Sequence, residues 1–431
     1  MTAITPDVAS APGTAEVSLK AARHWGVPIA MGVLGLVAFL VFGLQTPSGV
    51  STTFALSRST DAIVISPFDV PSKVTALVAA LLALAAAGYA AWRVYDVRKT
   101  GWWVYALYGV ALMTSLLAWA GAGRDATNIQ VTGLLATAVI FSLPLVFGSL
   151  AGLVCERSGI INIAIEGQLL AGAFLAALVA SALGNPYVGL IAAPVAGALV
   201  GAILSIFAVK YWVNQIVVGV VLNVLVVGIT NFLFGTLMRQ NPDLNKSLAL
   251  PRLPIPGLSS IPIIGPTLFN HTILVYLMYA TVALLAVMLF KSRWGLRVRA
   301  VGEHPKAADT VGIKVNRTRV RNTILGGAIA GLGGAFFTVA SGLAFSKEMT
   351  SGAGFIALAA MILGRWRPVG ALSAALLFGF ANSLKDQLGI IGSSIPSQFL
   401  AMLPYIATIL AVAGFVGRAR PPAAEGTPYK K

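Results

Sequence analysis

The chain has 431 residues, 57% of them hydrophobic and 10% charged, with a mean hydropathy of +0.86. A soluble domain carries roughly 25% charged residues, so this composition excludes a water-soluble globular protein and calls for apolar blocks long enough to cross a bilayer. The net charge of +16 lies between those blocks, and cysteine occurs once, at Cys155. The bias of Lys and Arg towards cytoplasmic loops explains the charge without nucleic acid, and one cysteine excludes an intrachain disulfide framework.

Residues 1–26 are small and polar and read as a cytoplasmic segment, followed by a first uncleaved span at 27–44. Further apolar blocks lie at about 74–92, 102–120, 131–154, 160–183, 187–209, 214–238, 272–290, 321–342, 352–364, 368–384 and 399–416. Lipid cannot satisfy backbone N–H and C=O groups, so these blocks read as helices; the alternating ten-residue strands of a barrel are absent. The fold class expected is an all-α polytopic bundle of about 10–12 spans. With both termini cytoplasmic, Arg93, Arg98, Lys99, Arg157, Lys210, the stretch 291–321, Arg365, Arg367 and the basic tail at 418–431 all fall inside. Two blocks depart from the pattern. The 352–364 block is short and Gly-flanked, as half of a broken helix would be, and Pro144 offers a break in 131–154. The loop 239–271 holds Pro242, Pro251, Pro254, Pro256, Pro262 and Pro266 and reads as a stiff external cap. Gly148/Gly152, Gly197/Gly201 and Gly327/Gly331 form G-x-x-x-G pairs, which bring helix backbones close inside the chain or at a subunit interface.

Two constellations carry chemistry. In Cys155–Gln168, Asn162 and Glu166 would share a face if that stretch is helical. An ionisable group at membrane depth marks a pathway or a partner, and both a structural and a pathway role stay open for the pair. Glu156 and Arg157 read as an interfacial turn. In the internal loop 291–320, His304 can cap a short helix opened by Pro305 and stopped by Gly312, with Ala307, Ala308 and Val311 as a small apolar face. Such a helix suits docking on a cytoplasmic protein; a basic loop that only fixes topology or touches anionic lipid is the alternative. Along the spans, Asn223, Asn231 and Asn382 could hydrogen-bond a neutral polar substrate, or serve as helix glue. Asn214 and Gln215 read as interfacial caps. No phosphate loop, H-E-x-x-H, G-x-S-x-G or Cys/His metal spacing occurs, so a transport subunit is expected and not an enzyme.

The runs ERSGIINIAIEG, GLRVRAVGEHPKAADTVGI, GFIALAAMILGRWRP and GRARPPAAEGTPYKK together resemble permease subunits of ABC importers for nucleosides, relatives of the simple-sugar and branched-chain amino acid permeases. The resemblance covers roughly 130–431. It implies a permease domain at 131–417, preceded by an extension at 27–130 with about three spans that simpler family members lack. It implies that Glu303, His304, Pro305, Lys306, Ala307, Ala308, Asp309, Val311 and Gly312 form the coupling helix that meets the ATPase. It places 155–168 near the path, making Asn162, Glu166 and Gln168 pathway candidates beside Asn223, Asn231 and Asn382. The implied partners are a separate ATPase that carries the ATP, a second permease (related or identical) and an extracellular substrate-binding lipoprotein, in a bacterial plasma membrane. Simple sugars or branched-chain amino acids are the alternative cargo. A secondary transporter would need more buried acids than this sequence has, and a lipid-processing enzyme an interfacial polar cluster that it lacks.

Overall fold

The computed structural model describes residues 25–430, apart from 60, 62, 125–127, 394, 397, 400–401, 403–404 and 406–419. Helix α1 (Gly26–Val37) continues in wider turns to Gly43. Strand β1 (Ser51–Ala55) pairs antiparallel with β2 (Phe68–Pro71) and parallel with β3 (Ile129–Gln130). Between those strands run α2 (Ser72–Tyr95) and α3 (Trp102–Ala120). Helices α4 (Val131–Glu156), α5 (Ile165–Leu183), α6 (Pro186–Ser205, extended to Lys210) and α7 (Gln215–Leu233, extended to Met238) follow. The proline-rich loop holds β4 (Arg252–Pro254), one turn of α8 (Ile264–Leu268) and β5 (Asn270–Thr272), which pairs antiparallel with β4. After α9 (Ile273–Lys291) come the short α10 (Arg293–Glu303) and α11 (Pro305–Thr310), then α12 (Val315–Gly334), α13 (Ala353–Leu363) and α14 (Pro368–Ile390).

Among the described residues eight helices are long and apolar enough to cross a membrane, α1–α7 and α9, so the chain is a multi-pass membrane protein. Helices α12 and α14 have 20 and 23 residues but carry charge at one end, Arg317, Arg319 and Arg321 in the former, Lys385 and Asp386 in the latter. The short Gly-flanked block at 352–364 does not make a full crossing. Helix α13 has 11 residues, about 16 Å at 1.5 Å per residue, or half the hydrocarbon thickness. The predicted span at 399–416 lies almost wholly outside the described residues. Pro144 does not divide α4, which runs unbroken.

Helix α4 is the axis of the bundle: from Ser142 to Glu156 every residue is buried, enclosed by α14, α12 and α13. The glycine pairs work inside the chain. Gly197 of α6 faces α12 so closely that a Cβ there would lie 2.1 Å from the Gly327 carbonyl oxygen. Gly148 and Gly152 admit Ala357 and Met361 of α13. The N-terminal extension packs onto α14, where Leu116, Leu117 and Ile129 share a core with Leu384, Leu388 and Ile391.

A Cβ at Gly331 would sit 2.4 Å from the Ala193 carbonyl oxygen, whereas one at Gly228 meets nothing within 4 Å. Gly331→Val should therefore lower the unfolding temperature of the detergent-solubilised protein, because forced overpacking costs about 1–3 kcal/mol, while Gly228→Ala leaves it unchanged. Thermal unfolding followed by size exclusion reads both.

Candidate functional site

Between α4 and α5 the chain is not helical from 157 to 164, so the condition on which Asn162 and Glu166 would share a helix face is not met. Ser158 and Ile160 are fully buried, and buried backbone groups need partners. The N–H groups of Ser158 and Ile160 both donate to the Cys155 carbonyl, at 3.0 and 3.1 Å, and side-chain amides brace the rest of the turn. The Asn162 and Gln168 amides donate to each other, at 3.0 and 3.2 Å, and Asn162 also donates to the Cys155 sulfur at 3.5 Å. The Asn223 oxygen accepts from the Gly167 N–H at 2.8 Å while its nitrogen donates to the Ile163 carbonyl at 2.9 Å. The Gln215 oxygen accepts from the Ile161 N–H at 2.7 Å; Gln215 is thus a buried brace and not an interfacial cap. Asn214 does cap α7, accepting from Ile216 N–H at 2.9 Å.

The second break lies between α12 and α13. There the Glu166 carboxylate accepts from the Thr350 hydroxyl at 2.6 Å and from the N–H groups of Gly352 and Gly354 at 2.8 and 2.6 Å. A carboxylate at the start of α13 also meets the positive end of that helix. Two cavities flank this break, of about 780 and 620 Å³, within the range of small-molecule sites. The larger touches Phe141, Phe337, Asn382 and Lys385; the smaller touches Glu166, Asn223 and Phe355. Asn382 therefore lies on a cavity wall, with one weak bond among the described residues, to the Phe378 carbonyl at 3.3 Å. Asn231 donates to Glu348 at 3.4 Å. Of the six pathway candidates, Asn162 and Gln168 are spent on each other, Glu166 and Asn223 hold backbone beside a cavity, Asn231 holds a loop carboxylate and Asn382 faces space.

At one end of the bundle sits the predicted coupling segment. The His304 ring accepts from the Ala307 N–H at 3.2 Å, Pro305 opens α11, and Gly312 ends it in the left-handed region at φ +82°. The outward face differs from the expectation in one residue. Ala308 is 3% exposed and packs on Val301, Val315 and Tyr429, while Val311 is 75% exposed and Ala307 and Lys306 also face out. Glu303 reaches back to Arg157 at 3.9 Å. Arg157 in turn donates to the Trp366 carbonyl at 3.0 Å, and the Trp366 indole N–H donates to Glu156 at 2.5 Å. Glu156 is 3% exposed and Trp366 5%, so this is a buried joint and not a solvated turn.

The C-terminal tail belongs to the same end, a role with no local signal in the sequence. Its Ala424 and Gly426 N–H groups donate to the carbonyls of Gly302 and Gly159 at 2.9 and 3.3 Å. The buried Arg319 guanidinium donates to the Thr427 carbonyl at 2.7 Å, and the Lys430 ammonium lies 4.5 Å from the Trp212 ring centre. The Glu425 carboxyl is hydrogen-bonded to that of Glu156. Burial pushes the Glu425 carboxyl above its ordinary range, partly offset by the bond to Glu156.

Residues 134–413 match the family model of the branched-chain amino acid transport system permease component. The chain is 39% identical over 317 residues to the guanosine ABC transporter permease protein NupQ of Bacillus subtilis, which covers 70% of this chain and 98% of that protein. It is 39% identical to the nucleoside ABC transporter permease protein NupC of Lactococcus lactis, over 69% of this chain and 96% of the relative. To the putative glucose ABC transporter permease protein TsgC13 of Haloferax volcanii it is 33% identical, over 59% of this chain and 77% of the relative. No solved structure matches the chain.

The raised Glu425 carboxyl means that the seated tail holds a proton more tightly than the free tail does. Stabilisation from that proton is full below the ordinary carboxylate range and is lost as pH rises through the raised value. Hydrogen exchange at Ala424 and Gly426, corrected for intrinsic rates, should show protection falling with rising pH, and Glu425→Gln should weaken the dependence. Protection that rises with pH would contradict the assignment.

Proposed function

Because the chain belongs to the permease family of branched-chain amino acid transport systems, we propose that it is the membrane-spanning subunit of an ATP-driven importer that carries nucleosides. The observation that carries this reading is the 39% identity to a guanosine permease across 98% of that protein's length. A separate cytoplasmic ATPase binds and hydrolyses the ATP; this chain contributes the path and the docking helix, and no catalytic residue. Both termini face the cytoplasm of a bacterial cell, and α11 with its exposed Ala307 and Val311 seats on the ATPase. A second permease, related or identical, completes the path, and a substrate-binding lipoprotein delivers the nucleoside from outside.

The mechanism follows from the joint between α11 and the bundle. Docking energy that differs between two ATPase states shifts the permease between two arrangements. Glu303, Arg157 and Trp366 tie the coupling segment to the base of α13, and the tail ties it to α4 and α12. A displacement of α11 therefore moves those helices as a group.

Uptake of labelled guanosine and uridine into cells with and without this gene, each competed by excess ribose and leucine, tests the reading. Gene-dependent uptake blocked by other nucleosides alone is the expected result; block by ribose or leucine instead would overturn the nucleoside assignment. Val311→Arg should leave the protein in the membrane and reduce substrate-stimulated ATP hydrolysis at least about tenfold, the effect of losing roughly 1.4 kcal/mol at the docking face. Ala308→Arg should instead lower assembly, because Ala308 is buried in the cluster with Val301 and Val315.

A further inference from the structure

The two cavities share a wall. Lys347, Glu348, Thr350 and Ser351 contribute to the lining of both, so the segment from Lys347 to Gly352 separates one chamber from the other. Its backbone is strained. Glu348 and Ser351 lie in the left-handed region at φ 53° and 46°, beside Gly352 at φ 82°. Residues with side chains adopt that region only where their surroundings over-determine it, and such strain collects at switch segments. Here the surroundings are one carboxylate and one amide: Glu166 takes the Thr350 hydroxyl and the Gly352 and Gly354 N–H groups, and Asn231 takes Glu348. Gly354 permits this approach, since a Cβ there would lie 2.5 Å from the Glu166 nitrogen.

Resting on the importer reading above, we propose that residues 347–352 are the gate between two successive nucleoside chambers, and that Glu166 is the positioning residue that holds this gate closed. Opening breaks charge-assisted hydrogen bonds and releases backbone strain, so the two arrangements are closer in energy than the bonds alone would make them. The depth is that of an internal gate. Helix α13 begins at Glu166 and ends near the Glu156–Trp366 joint, about half a bilayer away. Non-helical backbone at such depth is tolerated where it lines a cavity, and this segment lines two. Helix α13 also supplies the drive, because its far end is fastened through Trp366 and Arg157 to Glu303 of the coupling segment. A push on α11 reaches the Gly352 and Gly354 N–H groups through one rigid helix.

The test uses the full complex, with ATPase, second permease and binding protein, in proteoliposomes. Cys155, the chain's one cysteine, is buried, so labelling of this chain in a Ser351→Cys variant, read on its own gel band against the unsubstituted chain, reports on the gate. Its labelling by a charged maleimide should differ by about 5-fold or more between the nucleotide-free state and the state trapped with ATP and vanadate, the lower end for coupled sites. Adding Glu166→Gln should make labelling fast in both states. Equal rates in both states with Glu166 intact would overturn the gate. Ser351→Gly relieves strain without touching Glu166, and should lower maximal uptake roughly 5-fold with KM unchanged by stabilising the closed form; unchanged maximal uptake would overturn it too. Labelling that responds to nucleotide while the same vesicles take up no nucleoside would keep the gate and remove the substrate assignment. Nucleoside uptake with unresponsive labelling would do the reverse.

Discussion

Inside a bilayer a chain that leaves the helical path must find hydrogen-bond partners for its own backbone, since hydrocarbon offers none. This protein leaves it twice within the bundle, at 157–164 and at 338–352, and its buried polar residues are disposed to meet that need. Asn223 and Gln215 reach from α7 to the first break. Glu166, just after the first break, reaches to the second. The two breaks are thereby fastened directly to each other. A permease needs such irregular backbone because only there can a path open between helices that otherwise pack as tightly as Gly197 on Gly327.

The coupling end repeats the arrangement with charged groups. Arg157, Glu156, Glu303, Trp366 and Arg319 lie against carbonyls and carboxyls of segments distant in sequence. The tail closes this cluster, as a further strand of backbone lying across Gly302 and Gly159. On the proposed mechanism the rigid part of the machine is the α4–α12–tail assembly at one end, and the compliant part is the strained segment at 347–352.

Much of this was legible in the sequence where the signal is local. The block pattern gave the helical class, and the His304, Pro305 and Gly312 punctuation gave α11 with its caps. The short Gly-flanked block at 352–364 was readable as a half helix, which α13 is. What was not legible depends on partners far along the chain. Ala308 reads as outward-facing, yet it is buried in a cluster with Val301 and Val315 against which Tyr429, far along the chain, packs. Glu166 could be recognised as a costly acid in an apolar run, but Thr350, 184 residues on, could not be assigned to it. The Asn162–Glu166 spacing misleads because it presumes a helix that the amide bonds replace. Arg319 and the tail read as topology-fixing charge, since nothing local distinguishes a solvated arginine from one buried against a carbonyl.

The central claim is that the Asn223 and Gln215 amides serve the backbone and not the substrate. Asn223→Leu tests it most directly, with the unfolding temperature of the solubilised protein measured beside KM for nucleoside uptake. Removing both bonds to Gly167 and Ile163 should leave buried polar groups unmet, at about 1–3 kcal/mol each. The account predicts a lower unfolding temperature and less assembled protein, with KM unchanged in what remains. An unchanged unfolding temperature with a raised KM would show that Asn223 binds the substrate, and would contradict the account.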